Sequence, residues 1–113
     1  MEMRIGIDLV SLNEFELATK QNRRLISRLF SENERSLNLR QLAGNFALKE
    51  CLIKTLPQDS EFRFVDFEIL RDVNGKPFTK RHGKIKKELR SWNIEISLSN
   101  KANLILGELL RYR

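Results

Sequence analysis

The sequence predicts an α+β fold in which helices pack on a small antiparallel sheet, and three observations carry that prediction. Apolar residues recur at helical spacing through much of positions 12–56. They alternate with polar ones in 62–70, and two further strand candidates follow at 92–98 and 102–110. Helices first and strands later, without an internal repeat, describe an α+β domain rather than a regular α/β alternation. At 113 residues the chain makes one domain, 1–113, with room for a modest core.

Taken in order, Ile5-Gly6-Ile7-Asp8-Leu9-Val10 is an apolar β-type run broken by one acid. Asp8 reads either as an acid compensated by something cationic or as a strand end before a helix that Ser11 and Asn13 can start. A helix over 12–30 follows, with Leu12, Phe15, Leu25, Ile26 and Leu29 as its apolar residues. Lys20, Arg23, Arg24 and Arg28 make it positive, either as a solvated face or as a dock for an acidic partner. Ser31 and Glu34 have the spacing of a capping box opening a short helix.

The central helix is read from about Leu42 and ends at Pro57. Phe46 and Ile53, with Leu48, Leu52 and Leu56, can bury one side of it. Glu50 and Lys54 lie four positions apart, so they project from one region. That pair reads either as a solvent-facing ion pair or as the holder of a metal-bound phosphate ester. Beyond it, 62–70 is a strand, Asp72-Val73-Asn74-Gly75-Lys76-Pro77 a turn, and 82–91 a short basic helix. Strands 92–98 and 102–110 are joined by Ser99-Asn100-Lys101.

Hydrophobic residues at 41% and charged ones at 32% fit a folded domain rather than a disordered chain. No run has the length of a membrane span and the N-terminus lacks a signal-peptide layout, so a cytoplasmic protein is expected. The single Cys51 excludes an internal disulfide and reads as a buried thiol. A net charge of +6 calls for an anionic partner: nucleic acid, a phosphorylated cofactor or an acidic protein. The basic segment at 80–87, which includes the only histidine, His82, raises nucleic-acid binding. No nucleic-acid motif accompanies it, and a solvated face is the commoner use of such a run.

Four pieces occur in register: Gly6-Ile7-Asp8-Leu9-Val10; Leu42-Ala43-Gly44 with Phe46-Ala47 and Lys49-Glu50; Asn74-Gly75-Lys76-Pro77; and Ile96-Ser97-Leu98-Ser99. Together they resemble the holo-[acyl-carrier-protein] synthases, the small single-domain branch of the 4'-phosphopantetheinyl transferases. Arg24, Arg28 and Phe30-Ser31-x-x-Glu34 fit the same pattern.

The resemblance implies transfer of 4'-phosphopantetheine from coenzyme A to a serine of an apo acyl carrier protein, releasing adenosine 3',5'-bisphosphate, as in fatty acid biosynthesis. By the same resemblance Asp8 and Glu50 hold Mg²⁺, and Glu50, or a water that it or Asp8 orients, takes the serine proton. Lys54 stabilises the leaving phosphate and Lys49 adds positive potential. Phe46, Lys49, Lys54, Gly75, Lys76, Pro77, Asn100 and Lys101 are the implied cofactor contacts. Arg23, Arg24 and Arg28 meet the acidic carrier protein, and homotrimers share sites between subunits.

The chain also departs from the family pattern. Asn45 stands where members carry Arg, Asn100 where they carry His, and Glu14 where they carry Arg. Leu56-Pro57-Gln58-Asp59-Ser60 replaces a glycine-rich segment. Asn45 and Asn100 predict weaker coenzyme A binding than the family norm. They also leave open a catalytically impaired binding or assembly module of the same fold.

Overall fold

A computed structural model describes residues Met1–Arg113. Strand β1 (Met3–Ser11) pairs antiparallel with β5 (Leu104–Tyr112), and β5 pairs antiparallel with β4 (Asn93–Lys101), giving the order β1-β5-β4. A separate antiparallel ribbon joins β2 (Phe67–Arg71) to β3 (Pro77–Arg81). The expected single sheet is therefore two. β3 went unforeseen because Pro77, read as the end of a turn, opens a strand whose exposure alternates. Proline is tolerated at a strand's first residue.

The helices are α1 (Leu12–Gln21), α2 (Arg24–Leu29), α3 (Leu39–Thr55) and α4 (Gly83–Glu88). The expected helix over 12–30 is broken at Asn22, whose backbone N–H caps α1 at the Ala18 carbonyl while its side chain accepts from the Arg24 N–H. Asparagine satisfies local backbone groups in just this competing way. The capping box at Ser31 forms only in part. Glu34 accepts from the Ser31 N–H, but the Ser31 hydroxyl donates to Glu68, and a turn results instead of a helix.

Helix α3 begins at Leu39, earlier than Leu42, because Asn38 and Gln41 complete a reciprocal capping box. It packs across β1 and β5 at two glycines. A Cβ on Gly6 would lie 2.1 Å from the Cys51 carbonyl oxygen, and one on Gly107 would lie 3.1 Å from the Ala47 Cβ. Only the missing side chains let helix and sheet come this near. On one side of α3, Leu48, Cys51 and Leu52 pack with Phe67, Ile69, Ile85 and Leu89. On the other, Ala43 and Ala47 pack with Phe15, Leu29, Phe30 and Ile105. Residues 99–101 are not a connection but the end of β4. The hairpin turns at Ala102-Asn103, where Ala102 takes a φ of 53°.

Candidate active site

Asp8 sits on β1 opposite Gly107 of β5, the strand residue against which α3 packs most closely after Gly6. Glu50 precedes Cys51, the residue that touches Gly6. The close approach of β1 and α3 thus brings two acids, distant in sequence, into one cleft of about 480 Å³. Its walls are apolar: Val10, Phe15, Leu25, Leu29, Phe46 and Phe64. Phe46 lies between Phe15 and Phe64, with ring centroids at 5.7 and 6.3 Å.

Lys54, one turn beyond Glu50, donates to the Ile7 carbonyl at 2.7 Å and to Asp8 Oδ1 at 3.0 Å. The anticipated Glu50–Lys54 pair is thus replaced by Asp8–Lys54, which reaches across from helix to strand. Burial holds the Glu50 carboxyl above the usual carboxylate range, and the Asp8 charge pushes it further up against the opposing pull of Lys54. Two carboxylates share one ammonium, which leaves the site with a net demand for positive charge. No group of three His, Cys, Asp or Glu side chains gathers anywhere in the fold. Cys51 lies beneath the cleft, fully buried, and its thiol is pushed up to about 11, chiefly by burial. It stays protonated and is no nucleophile.

Lys49 is a correction. Its side chain is 0% exposed, and its ammonium donates to Glu34 at 2.7 Å, the Leu29 carbonyl at 2.7 Å and the Phe64 carbonyl at 2.8 Å. All three donors are spent inside the protein, so Lys49 cannot touch a cofactor. Burial pulls its pKa down while Glu34 pulls it back. Asn45 faces the same core, donating to Glu34 at 2.9 Å and to the Ile69 carbonyl at 2.7 Å. It therefore contacts no ligand either. Glu34, at the centre of this network, was expected only as a cap.

The remaining cofactor candidates lie elsewhere. Gly75, Pro77 and Asn100 line a second pocket of about 290 Å³ that shares no residue with the acid cleft. Lys76 and Lys101 are exposed and do not line it. Sequence reasoning missed two of its residues, Arg40 and Arg71, which belong to none of the four motif pieces. Arg23, Arg24 and Arg28 are exposed on α2, whose Leu25 and Leu29 wall the acid cleft. Glu14 lines the cleft from α1. His82, 2.5 Å from Glu68, is outside both pockets.

Two carboxylates and an ammonium in an apolar cleft, flanked by exposed arginines, form a site suited to a metal-bound phosphate ester. The chain belongs to the 4'-phosphopantetheinyl transferase superfamily, whose family model matches residues 4–106. It is 35% identical over 103 residues to a holo-[acyl-carrier-protein] synthase of Clavibacter sepedonicus, covering 88% of this chain and 87% of that one. A Chronobacterium ammoniagenes ACPS–CoA complex shares the fold, with a TM-score of 0.88 at 22% identity over 99% and 98% of the two chains. A Helicobacter pylori holo-[acyl-carrier-protein] synthase in complex with coenzyme A superposes with a TM-score of 0.81 at 25% identity, covering 96% and 100%. No helix is long and apolar enough to cross a membrane.

Proposed function

We propose that this chain transfers the 4'-phosphopantetheine group of coenzyme A to a serine of an apo acyl carrier protein. Membership of the superfamily supplies the reaction class. The observation that carries the assignment is the meeting of Asp8, Glu50 and Lys54 at one cleft.

The serine Oγ forms a bond to the phosphorus that bears pantetheine, and the bond from that phosphorus to the bridging pyrophosphate oxygen breaks. Adenosine 3',5'-bisphosphate leaves with the bond's electron pair. Glu50, whose raised pKa suits proton acceptance, takes the serine proton directly or through a water that it or Asp8 holds. Lys54 uses two of its three N–H donors on Ile7 and Asp8 and keeps one for the leaving phosphate. Asp8 and Glu50 are hard donors with uncompensated charge and fit Mg²⁺, which keeps most of its shell for water and phosphate. When bound, the ion supplies Lewis-acid polarisation of the phosphoryl group. Phe15, Phe46 and Phe64 limit water around these groups.

Assembly is the second part of the proposal. Met3, Ile5, Ile7 and Leu9 of β1, with Leu104 and Leu106 of β5, are exposed on the sheet face opposite α3. An apolar strip of this kind supports burial against further copies, as in the homotrimer implied by the resemblance. The separation of the acid cleft from the Gly75–Pro77–Asn100 pocket supports sites shared between copies. The α2 arginines supply the charge that an acidic carrier protein requires. A cytoplasmic setting accords with one buried, unpaired thiol.

Nucleic-acid binding draws less support. Within the basic segment, Arg81 donates to the Leu89 and Trp92 carbonyls, and Lys84 pairs with Glu61. The experiment is incubation with coenzyme A, Mg²⁺ and an apo carrier protein, with mass detection of phosphopantetheine on the carrier. No mass gain, under conditions where a reference synthase completes the reaction, would reject the proposal.

A further inference from the structure

Arg40 and Arg71 come from different elements, the first turn of α3 and the end of β2, yet both line the pocket formed by Gly75, Pro77 and Asn100. Neither guanidinium has a carboxylate within salt-bridge distance. Arg40 donates to Asn100 Oδ1 and to the Ala102 carbonyl, both at 3.2 Å, which fixes its fork beside the end of β4. Arg71 is half-buried, and its only bonds are long ones to backbone carbonyls, 3.5 Å to Leu70 and 3.4 Å to Gln41. Its Nη2 would lie 3.8 Å from a Cβ on Gly44, so the guanidinium stands over the bare backbone of α3. A buried cation with weak neutral partners is costly to keep unless an anion completes it.

We infer that Arg40 and Arg71 form a phosphate-reading pair for the terminal phosphomonoester of the nucleotide donor, and so set the preference for a 3'-phosphorylated coenzyme. This rests on the transferase reading above and deepens it. Two planar forks with unused N–H groups suit a dianionic phosphate better than a ring nitrogen or hydroxyl would. Arg40 stands against Asn100, so the positive charge absent at that position is provided from α3. The weaker cofactor binding expected from Asn45 and Asn100 is accordingly replaced by ordinary affinity with the cation relocated.

The test compares binding of coenzyme A and 3'-dephospho-coenzyme A by calorimetry, with Mg²⁺ present, for the unaltered protein, Arg40→Gln and Arg71→Gln. The unaltered protein is expected to favour coenzyme A by at least about tenfold, and each substitution should reduce that ratio by roughly tenfold while affinity for the dephospho compound holds. Arg40 is exposed, so Arg40→Gln keeps the test meaningful should Arg71→Gln melt early. An unaltered preference in a well-folded Arg40→Gln would overturn the pair while leaving the transferase reading standing. Failure of the unaltered protein to bind either compound would overturn both.

Discussion

Gly6 and Cys51 touch so closely that any side chain on Gly6 would strike the Cys51 carbonyl oxygen, at 2.1 Å from the first added carbon. Asp8 lies two residues beyond one partner and Glu50 one residue before the other. The acid pair is therefore a product of helix–sheet distance, and its integrity depends on a residue with no chemistry of its own. Gly6→Ala is expected to destabilise the protein by about 3 kcal/mol, at the upper end for overpacking, since backbone rather than a side-chain tip must yield. Denaturant unfolding reads the loss, and transferase activity should fall with it.

The Lys49–Glu34 pair is wholly buried and carries the turn after α2, the start of β2 and α3 together. Lys49→Met leaves Glu34 as an uncompensated buried acid and is expected to cost about 3–5 kcal/mol in chemical denaturation. Adding Glu34→Leu to that variant should recover part of the loss. A cofactor-binding lysine would show the opposite pattern, with stability kept and coenzyme A affinity reduced.

Glu50 predicts a pH signature. Its folded pKa is raised by burial and by Asp8, so the folded state binds its proton more tightly than the unfolded chain does. The stability it contributes is complete below its ordinary value of 4.5 and is lost as pH rises through the folded value. Glu50→Gln should therefore melt higher than the unaltered protein at neutral pH, with the difference closing near pH 4. Mg²⁺ at neutral pH should raise the melting temperature of the unaltered protein but not of this variant.

Charge on α2 should govern carrier-protein encounter. Arg24→Glu with Arg28→Glu is expected to lower kcat/KM for an acidic carrier protein by roughly tenfold or more, with the deficit shrinking as salt rises. Coenzyme A affinity, measured separately by calorimetry, should be unaffected.

The apolar strip on the open sheet face predicts assembly. Ile7→Lys, projecting from the middle of β1, should convert a higher-order species into a monomer in light scattering, and activity should fall if sites are shared between copies.

Much of this was legible in advance. Asp8 stood out as an acid inside an apolar run, and the motif pieces around Glu50, Gly75 and Ser97 already resembled one family. Other features depend on tertiary context that one-dimensional spacing does not carry. Lys49 neighbours Glu50 along the chain, but the helical turn sends it into the core, where Glu34 awaits. Lys54 pairs across to Asp8 rather than along its helix to Glu50. Asn22 interrupts a helical pattern through its own hydrogen bonds, and the Asn38–Gln41 box extends α3 beyond its apolar stripe. Arg40 and Arg71 could not be recognised from spacing at all, since 30 intervening residues fold away between them.

The central claim is that Asp8 and Glu50 together hold the divalent ion on which transfer depends. The direct measurement is the Mg²⁺-dependent mass gain of an apo carrier protein with coenzyme A, run for the unaltered chain, Asp8→Ala and Glu50→Ala, each checked for folding by circular dichroism. The unaltered chain should add phosphopantetheine, and each variant should be slower by roughly a hundredfold or more. Unchanged turnover in both folded variants would contradict the account.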